Sequence, residues 1–237
     1  MTETYARFWK CALQVNPKGY SRAYRGEDHG LFGEDFLAAL LGGCKEAGIQ
    51  VVGITDHGSV RDVDVIRDFL SSHGIVVFPG FEVATTEKIH WVCLFKEDTT
   101  TEQLNRYPGV LNSTDPTEGV RPSKLGGEGL LRLVEEECHG FCYAAHATNT
   151  NGVLKQKANH LWKNPLLKAA QIPGSVDELP PEFKKIAKNR NPDYRRDAEM
   201  TFINAKDVAW PEELRDPSIS CHIKMTRPTF TSFVTAF

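Results

Sequence analysis

The alternation of apolar and polar positions divides the chain into strands and helices in turn. Residues 8–15 (FWKCALQV) read as a first strand. Across residues 34–47, Phe36, Leu37, Leu40, Leu41, Cys44 and Ala47 recur at helical spacing, and Gly48 supplies a stop. Residues 49–55 (IQVVGIT) form an almost unbroken apolar run, as expected of a parallel strand covered on both faces. Residues 59–62 (SVRD) have the form of a capping box, and Val60, Val63, Ile66, Phe69 and Leu70 stripe the helix it opens. Gly74 breaks that helix. Residues 75–78 and 89–95 predict two more strands. Residues 128–138 predict a helix that ends near Gly140, residues 141–145 a strand, and Phe202 with Ile203 one more.

Strands alternating with helices predict an α/β fold built of βαβ units around a mostly parallel sheet. Two stretches break the rhythm. Residues 97–125 are polar and turn-rich, and residues 155–196 are basic and hold Pro165, Pro173, Pro180, Pro181 and Pro192. Both read as loop insertions on a single domain spanning residues 1–237. At 41% hydrophobic and 25% charged residues, that length is enough for one sizeable core. No apolar run approaches the ~20 residues that span a bilayer. The N-terminus lacks an apolar signal-peptide core, so a cytoplasmic location without a membrane partner is expected.

Charge and cysteine content refine this picture. The net charge is −3, yet residues 155–196 carry ten Lys/Arg against four Asp/Glu, so this segment is basic and the remainder acidic. Lys184, Lys185, Lys188, Arg190, Arg195 and Arg196 are candidate phosphate-binding residues if the segment faces a polyanion; otherwise it is a solvated insertion. The six cysteines lie mostly in apolar stretches and show no tight pairing pattern, which fits reduced, buried thiols. Cys138 and Cys142 have no second pair to complete a zinc site.

In parallel α/β folds, chemistry gathers where loops leave the C-terminal ends of strands. Several predicted strands here run into metal-ligand residue types: Asp56 and His57, Glu82, His146, and Asp207 after the strand at Phe202. His90 stands apart, because it opens its strand. Singly, each has a structural reading as a turn, cap or core histidine. Jointly they form the imidazole and carboxylate set that a divalent ion requires, and a carboxylate can bridge two ions.

ITDHG at 54–58, PGFE at 79–82 followed by His90, AAH at 144–146 and NAKDVA at 204–209 resemble, in order, the motifs of the PHP (polymerase and histidinol phosphatase) superfamily. The resemblance covers nearly the whole chain. It implies a distorted (β/α) barrel of about seven mostly parallel strands, binding of up to three metal ions, and hydrolysis of phosphoesters, including those of nucleotides and nucleic acid. The family's first motif ends Asp-Leu-His-x-His, but Gln14 and Asn16 stand here in place of both histidines. The last motif ends Asp-x-His, but here it reads Asp207-Val208-Ala209. Glu82, His90 and His146 keep one complete ligand set. Asp207 and His57 are partial ligands of the others, and His29 is a possible extra one.

The resemblance therefore implies one divalent ion (Zn, Mn, Fe or Mg) rather than three, with His57 and Asp56 as candidate catalytic groups. Two functions remain open. One is a metal-dependent phosphoesterase acting on a phosphoester substrate, with nucleic acid as a candidate. The other is a catalytically degenerate domain that binds or regulates for an attached ATPase. The segment 216–237, ending HIKMTRPTFTSFVTAF, resembles the junction at which some bacterial PHP domains pass into an ATPase module. Its pattern also fits a terminal helix docked on the barrel.

Overall fold

One mixed sheet organises the chain. The computed structural model describes residues 5–28, 30–57, 59–107 and 123–237. Its strands are β1 (Arg7–Val15), β2 (Val51–His57), β3 (Val76–Ala84), β4 (His90–Leu94), β5 (Phe141–Ala144), β6 (Ala169–Gln171), β7 (Thr201–Ile203) and β8 (Cys221–Met225). The helices are α1 (Gly19–Tyr24), α2 (Glu34–Ala47), α3 (Val63–Ser72), α4 (Thr101–Arg106), α5 (Gly127–Arg132), α6 (Asn159–Lys163), α7 (Pro181–Ala187) and α8 (Phe230–Thr235). The strand order is β7-β6-β5-β4-β3-β2-β1-β8. The sheet is nearly closed into a barrel ringed by helices. After β7 the chain returns to β1, where Val208 accepts from the Asn16 N–H at 3.1 Å and donates to the Gln14 carbonyl at 3.0 Å.

The barrel class is the expected one, but its strand directions are more mixed. β1–β2, β2–β3, β5–β6 and β6–β7 pair in parallel, whereas β3–β4, β4–β5 and β1–β8 are antiparallel. The link from Ala84 to His90 is too short for a crossover helix, so β4 must fold back on β3 as a hairpin. Lys88 takes a positive φ of 63° in that turn.

Side chains alternate between two cores. Val52, Ile54, Val77, Phe81 and Val83 face outward under the helices, with Leu40, Ile66, Leu70 and Leu131. Leu13, Val51, Phe78, Val92, Phe141 and Tyr143 fill the barrel interior. Two strand glycines allow the interior to close. A Cβ on Gly53 would lie 2.6 Å from the Leu13 carbonyl oxygen, and one on Gly80 only 2.1 Å from that of Cys93.

Helix α8 seals one end of the barrel. Phe233 packs against Phe78 and Phe141, each with ring centroids at 5.0 Å, and Phe230 meets Phe78 edge-on at 5.3 Å. The Phe230 N–H donates to Glu97 at 2.7 Å. Phe141 opens β5 and Phe78 is the third residue of β3, so the plug lies opposite the end at which those strands finish.

Some local expectations change. Helix α2 and its left-handed Gly48 cap are as read, with φ 69°. Helix α3, however, starts at Val63. Ser59 Oγ accepts from Arg61 N–H at 3.2 Å instead of capping a helix, and Asp62 precedes α3 with φ 65°. Helix α5 continues as a π-helical turn over Leu133–Glu137. The polar stretch 97–125 holds α4, opened by a capping box of Thr100 and Gln103; its residues 108–122 lie outside the described ones. The basic stretch 155–196 is more than a loop. It carries α6, β6 and α7, with Leu161, Trp162, Leu167, Ala170 and Ile186 buried.

Candidate metal centre

The polar groups collect at the end of the barrel opposite α8. In β2 and β3 the inward positions above Gly53 and Gly80 are His57 and Glu82, which are register partners. Because β4 runs antiparallel to β3, its first residue, His90, lies at the same rim where β2 and β3 end. This direction explains why a ligand type opens β4 but closes its neighbours. The Ala145 N–H donates to the His90 carbonyl at 3.1 Å, which sets His146 beside it, and the two imidazoles meet edge to face at 4.9 Å. His146 has φ 28°, a strained conformation for a residue with a side chain, and its N–H donates to Gln171 Oε1.

A bulge in β1 brings in Gln14. Ala12 pairs with Val52 and Val15 with Ile54, so β1 spends three residues where β2 spends two. The extra residue shifts the alternation: Leu13 fills the barrel interior and Val15 the outer core, while Gln14 reaches inward at the rim.

Glu82 is the hub, fully buried. Its Oε1 lies 2.9 Å from His90 Nδ1, and its Oε2 accepts from Gln14 Nε2 and lies 3.9 Å from His57 Nε2. The same Gln14 nitrogen donates to Asp207 Oδ1 at 2.7 Å, and Asn16 Nδ2 approaches that oxygen at 3.4 Å. Asn151 Nδ2 meets His90 Nε2 at 3.1 Å. Tyr20 and Tyr24 pack their rings on His57 at 4.8 and 4.7 Å.

Burial pushes these groups toward their neutral forms. It lowers His90 and His146 to about 4, and lowers His57 as well. Burial and then the charge of Glu82 raise Asp207 to about 7. Burial also raises Glu82, against the opposing effects of His57 and Gln14. Uncompensated carboxylates and bare imidazoles crowded together make a site that favours a cation.

Glu82, His90 and His146 each offer a ligand atom within 4.8 Å of the other two, as do His57, Glu82 and Asp207. One carboxylate with two imidazoles suits a borderline divalent ion. Among the described residues, His57 Nδ1 is buried without a hydrogen-bond partner, and its Nε2 faces Glu82 Oε2 at 3.9 Å, beyond hydrogen-bond distance. The residues therefore fit a metal ion.

Other expected positions fall differently. Asp56 Oδ1 accepts the His57 N–H at 2.8 Å, and Asp56 lines a cavity of about 250 Å³ with Tyr24, His57 and Arg61. Ala209, at the position of the missing histidine, is buried, and its N–H donates to Glu213 at 2.6 Å. His29 lies outside the described residues. Arg196 is unsuited to phosphate, because its guanidinium donates to the carbonyls of Trp162, Asn164, Leu167 and Ala198. Lys184 and Lys188 are engaged by Asp177, while Lys185, Arg190 and Arg195 are exposed. None of these six lines either cavity beside the cluster.

Sequence reading missed Gln171, Asn149 and Lys206, which with His146 and Asp207 line a cavity of about 380 Å³. It also missed Tyr20, Tyr24 and Asn151. Only Lys206 carried a usable signal, being adjacent to Asp207 in the last motif.

No protein-family model matches the chain, and no curated protein matches its sequence. Solved structures do match its fold. The lesion-specific endonuclease PfuEndoQ from Pyrococcus furiosus superposes over 96% of this chain with a TM-score of 0.64 at 13% identity. Endonuclease Q in complex with a 27-mer duplex carrying an abasic lesion at the active site superposes over 86%, with a TM-score of 0.56 at 13% identity. The chain shares its fold with these enzymes. It spans only about half of their length, 55% and 50%. A protein from Bifidobacterium adolescentis, assigned to the metal-dependent phosphoesterases, matches over 85% of this chain and 88% of its own, with a TM-score of 0.53 at 11% identity.

Proposed function

We propose that the chain is a metal-dependent phosphoesterase that cleaves phosphoester bonds in nucleic acid or nucleotides. The observation that carries this reading is the convergence of Glu82, His90 and His146 at the open end of the barrel. The phosphoesterase and endonuclease folds it shares support the same reaction class.

Glu82, His90 and His146 would hold a divalent ion, which supplies Lewis acidity toward a phosphoryl oxygen and lowers the pKa of water. The other residues supply binding and proton handling. In the cavity beside His146, Asn149 offers an amide to a phosphate and Lys206 a cation that it shares with Asp216 at 3.5 Å. Asp207, near neutrality in its proton affinity, is suited to accept a proton there. His57 and Asp56 line a second cavity with Arg61, where another part of a polyanion can lie. Lys185, Arg190 and Arg195 are available for more distant backbone contacts.

A second reading, a binding or regulatory domain for an attached ATPase, is favoured by Gln14, Asn16 and Ala209 at three ligand positions. Activity separates the two. EDTA-stripped protein resupplied with Mn²⁺ should hydrolyse bis(p-nitrophenyl) phosphate or a DNA oligonucleotide, and His146→Ala should lower kcat/KM by ~100-fold or more through loss of the ion. Hydrolysis absent with every ion tried, or indifferent to His146→Ala, would favour the binding domain.

A further inference from the structure

The second convergent set, His57, Glu82 and Asp207, has its ligand atoms within 4.8 Å of one another, yet an amide already stands between its two carboxylates. Gln14 Nε2 donates to Glu82 Oε2 and, at 2.7 Å, to Asp207 Oδ1. An amide nitrogen carries two N–H bonds, and both are committed here. Which end of the amide faces the acids follows from chemistry: carboxylate oxygens accept, so the NH₂ end must face them.

The environment makes this contact consequential. Gln14 and Glu82 are 1% and 0% exposed, and Asp207 is half-buried at the edge of the cavity beside His146. Two carboxylates sharing one donor repel each other when ionised, the more so with Glu82 fully buried, and buried charges are ordinarily paired or coordinate a metal. The bulge between Ala12 and Val15 turns Gln14 into that position, so its reach is built into the backbone. Asn16, two residues on, reinforces the arrangement by approaching the same Asp207 oxygen at 3.4 Å.

We propose that Gln14 is a built-in stand-in for a second cation. Its amide bridges Glu82 and Asp207 and limits the centre to the ion held by Glu82, His90 and His146. The inference rests on the metal-dependent reading above, but it concerns how many ions the chain takes, not what it cleaves. Removing the amide should free the His57–Glu82–Asp207 set to bind an ion. A histidine at position 14 should do so more strongly, by adding an imidazole. A lysine should not, because its ammonium replaces the amide with a permanent positive charge.

The test is Mn²⁺ and Zn²⁺ stoichiometry by calorimetry and elemental analysis on wild type, Gln14→His, Gln14→Leu and Gln14→Lys, with thermal melts of each with and without ion. The expectation is about one ion in wild type and Gln14→Lys and about two in Gln14→His, since each complete ligand set takes its own ion. Metal-free Gln14→Leu should melt below wild type and gain more on adding Mn²⁺. Should Gln14→Leu fail to fold, the Gln14→His and Gln14→Lys pair decides the matter. Equal stoichiometry in wild type and Gln14→His, or a wild type that already holds both ions, would overturn the role of Gln14. Wild type binding no ion would instead overturn the metal-dependent reading. A gain of one ion in Gln14→His over that baseline would still support the blocking role, and no gain would overturn both.

Discussion

Glu82 and Asp207 sit in a layer where burial works against charge, and the consequence appears as pH dependence. In the metal-free chain Asp207 holds its proton up to about 7, against an ordinary value of 3.8. His90 and His146 have already lost theirs above about 4. At pH 6 an incoming divalent ion therefore displaces no proton from the imidazoles, but its charge must drive off the one that burial and the neighbouring Glu82 hold on Asp207. The sign follows: acid opposes binding, affinity rises as pH climbs toward 8, and it levels once Asp207 is ionised. Calorimetry at pH 6 in buffers of different ionisation enthalpy should show release of about one proton per ion, falling toward none at pH 8. Release that stays constant across this range would mean that the carboxylates are not protonated as their burial implies.

Among the elements, α8 and the strands separate stability from chemistry. Phe233 is fully buried and touches Phe78, Phe141, Phe230 and Phe237, all at the end of the barrel opposite the cluster. Phe233→Ala should cost about 3–5 kcal/mol of stability in urea unfolding, by leaving a cavity among these rings. Ion affinity of the folded protein should be unchanged. A marked loss of affinity without loss of stability would show that the plug and the centre communicate. The pattern of the chain makes β2, β3, β4 and α2 legible, because β-branched runs and a helical stripe with a glycine stop are strong local signals. β6 is not legible: Ala169, Ala170 and Gln171 are too few and too small to announce a strand, and only pairing with β5 and β7 makes them one. The bulge that aims Gln14 is a property of register between two strands, which no single segment encodes.

At the scale of the whole molecule, the barrel gathers at one rim residues that are far apart in sequence. Glu82, His90 and His146 were identifiable because each adjoins a strand with a strong apolar signature. The expected basic patch fared less well. Charge counting cannot distinguish Arg196, spent on four carbonyl groups, from a cation that faces solvent. Lys206, beside the centre, lies outside that basic segment altogether. The central claim is that Glu82, His90 and His146 together hold the ion. A crystal structure of the Mn²⁺- or Zn²⁺-loaded protein, with the ion located by anomalous scattering, tests it most directly. The account predicts a peak bonded to all three side chains at ~2.0–2.2 Å. An ion bound elsewhere, or a loaded structure in which any one of the three turns away from the other two, would contradict it.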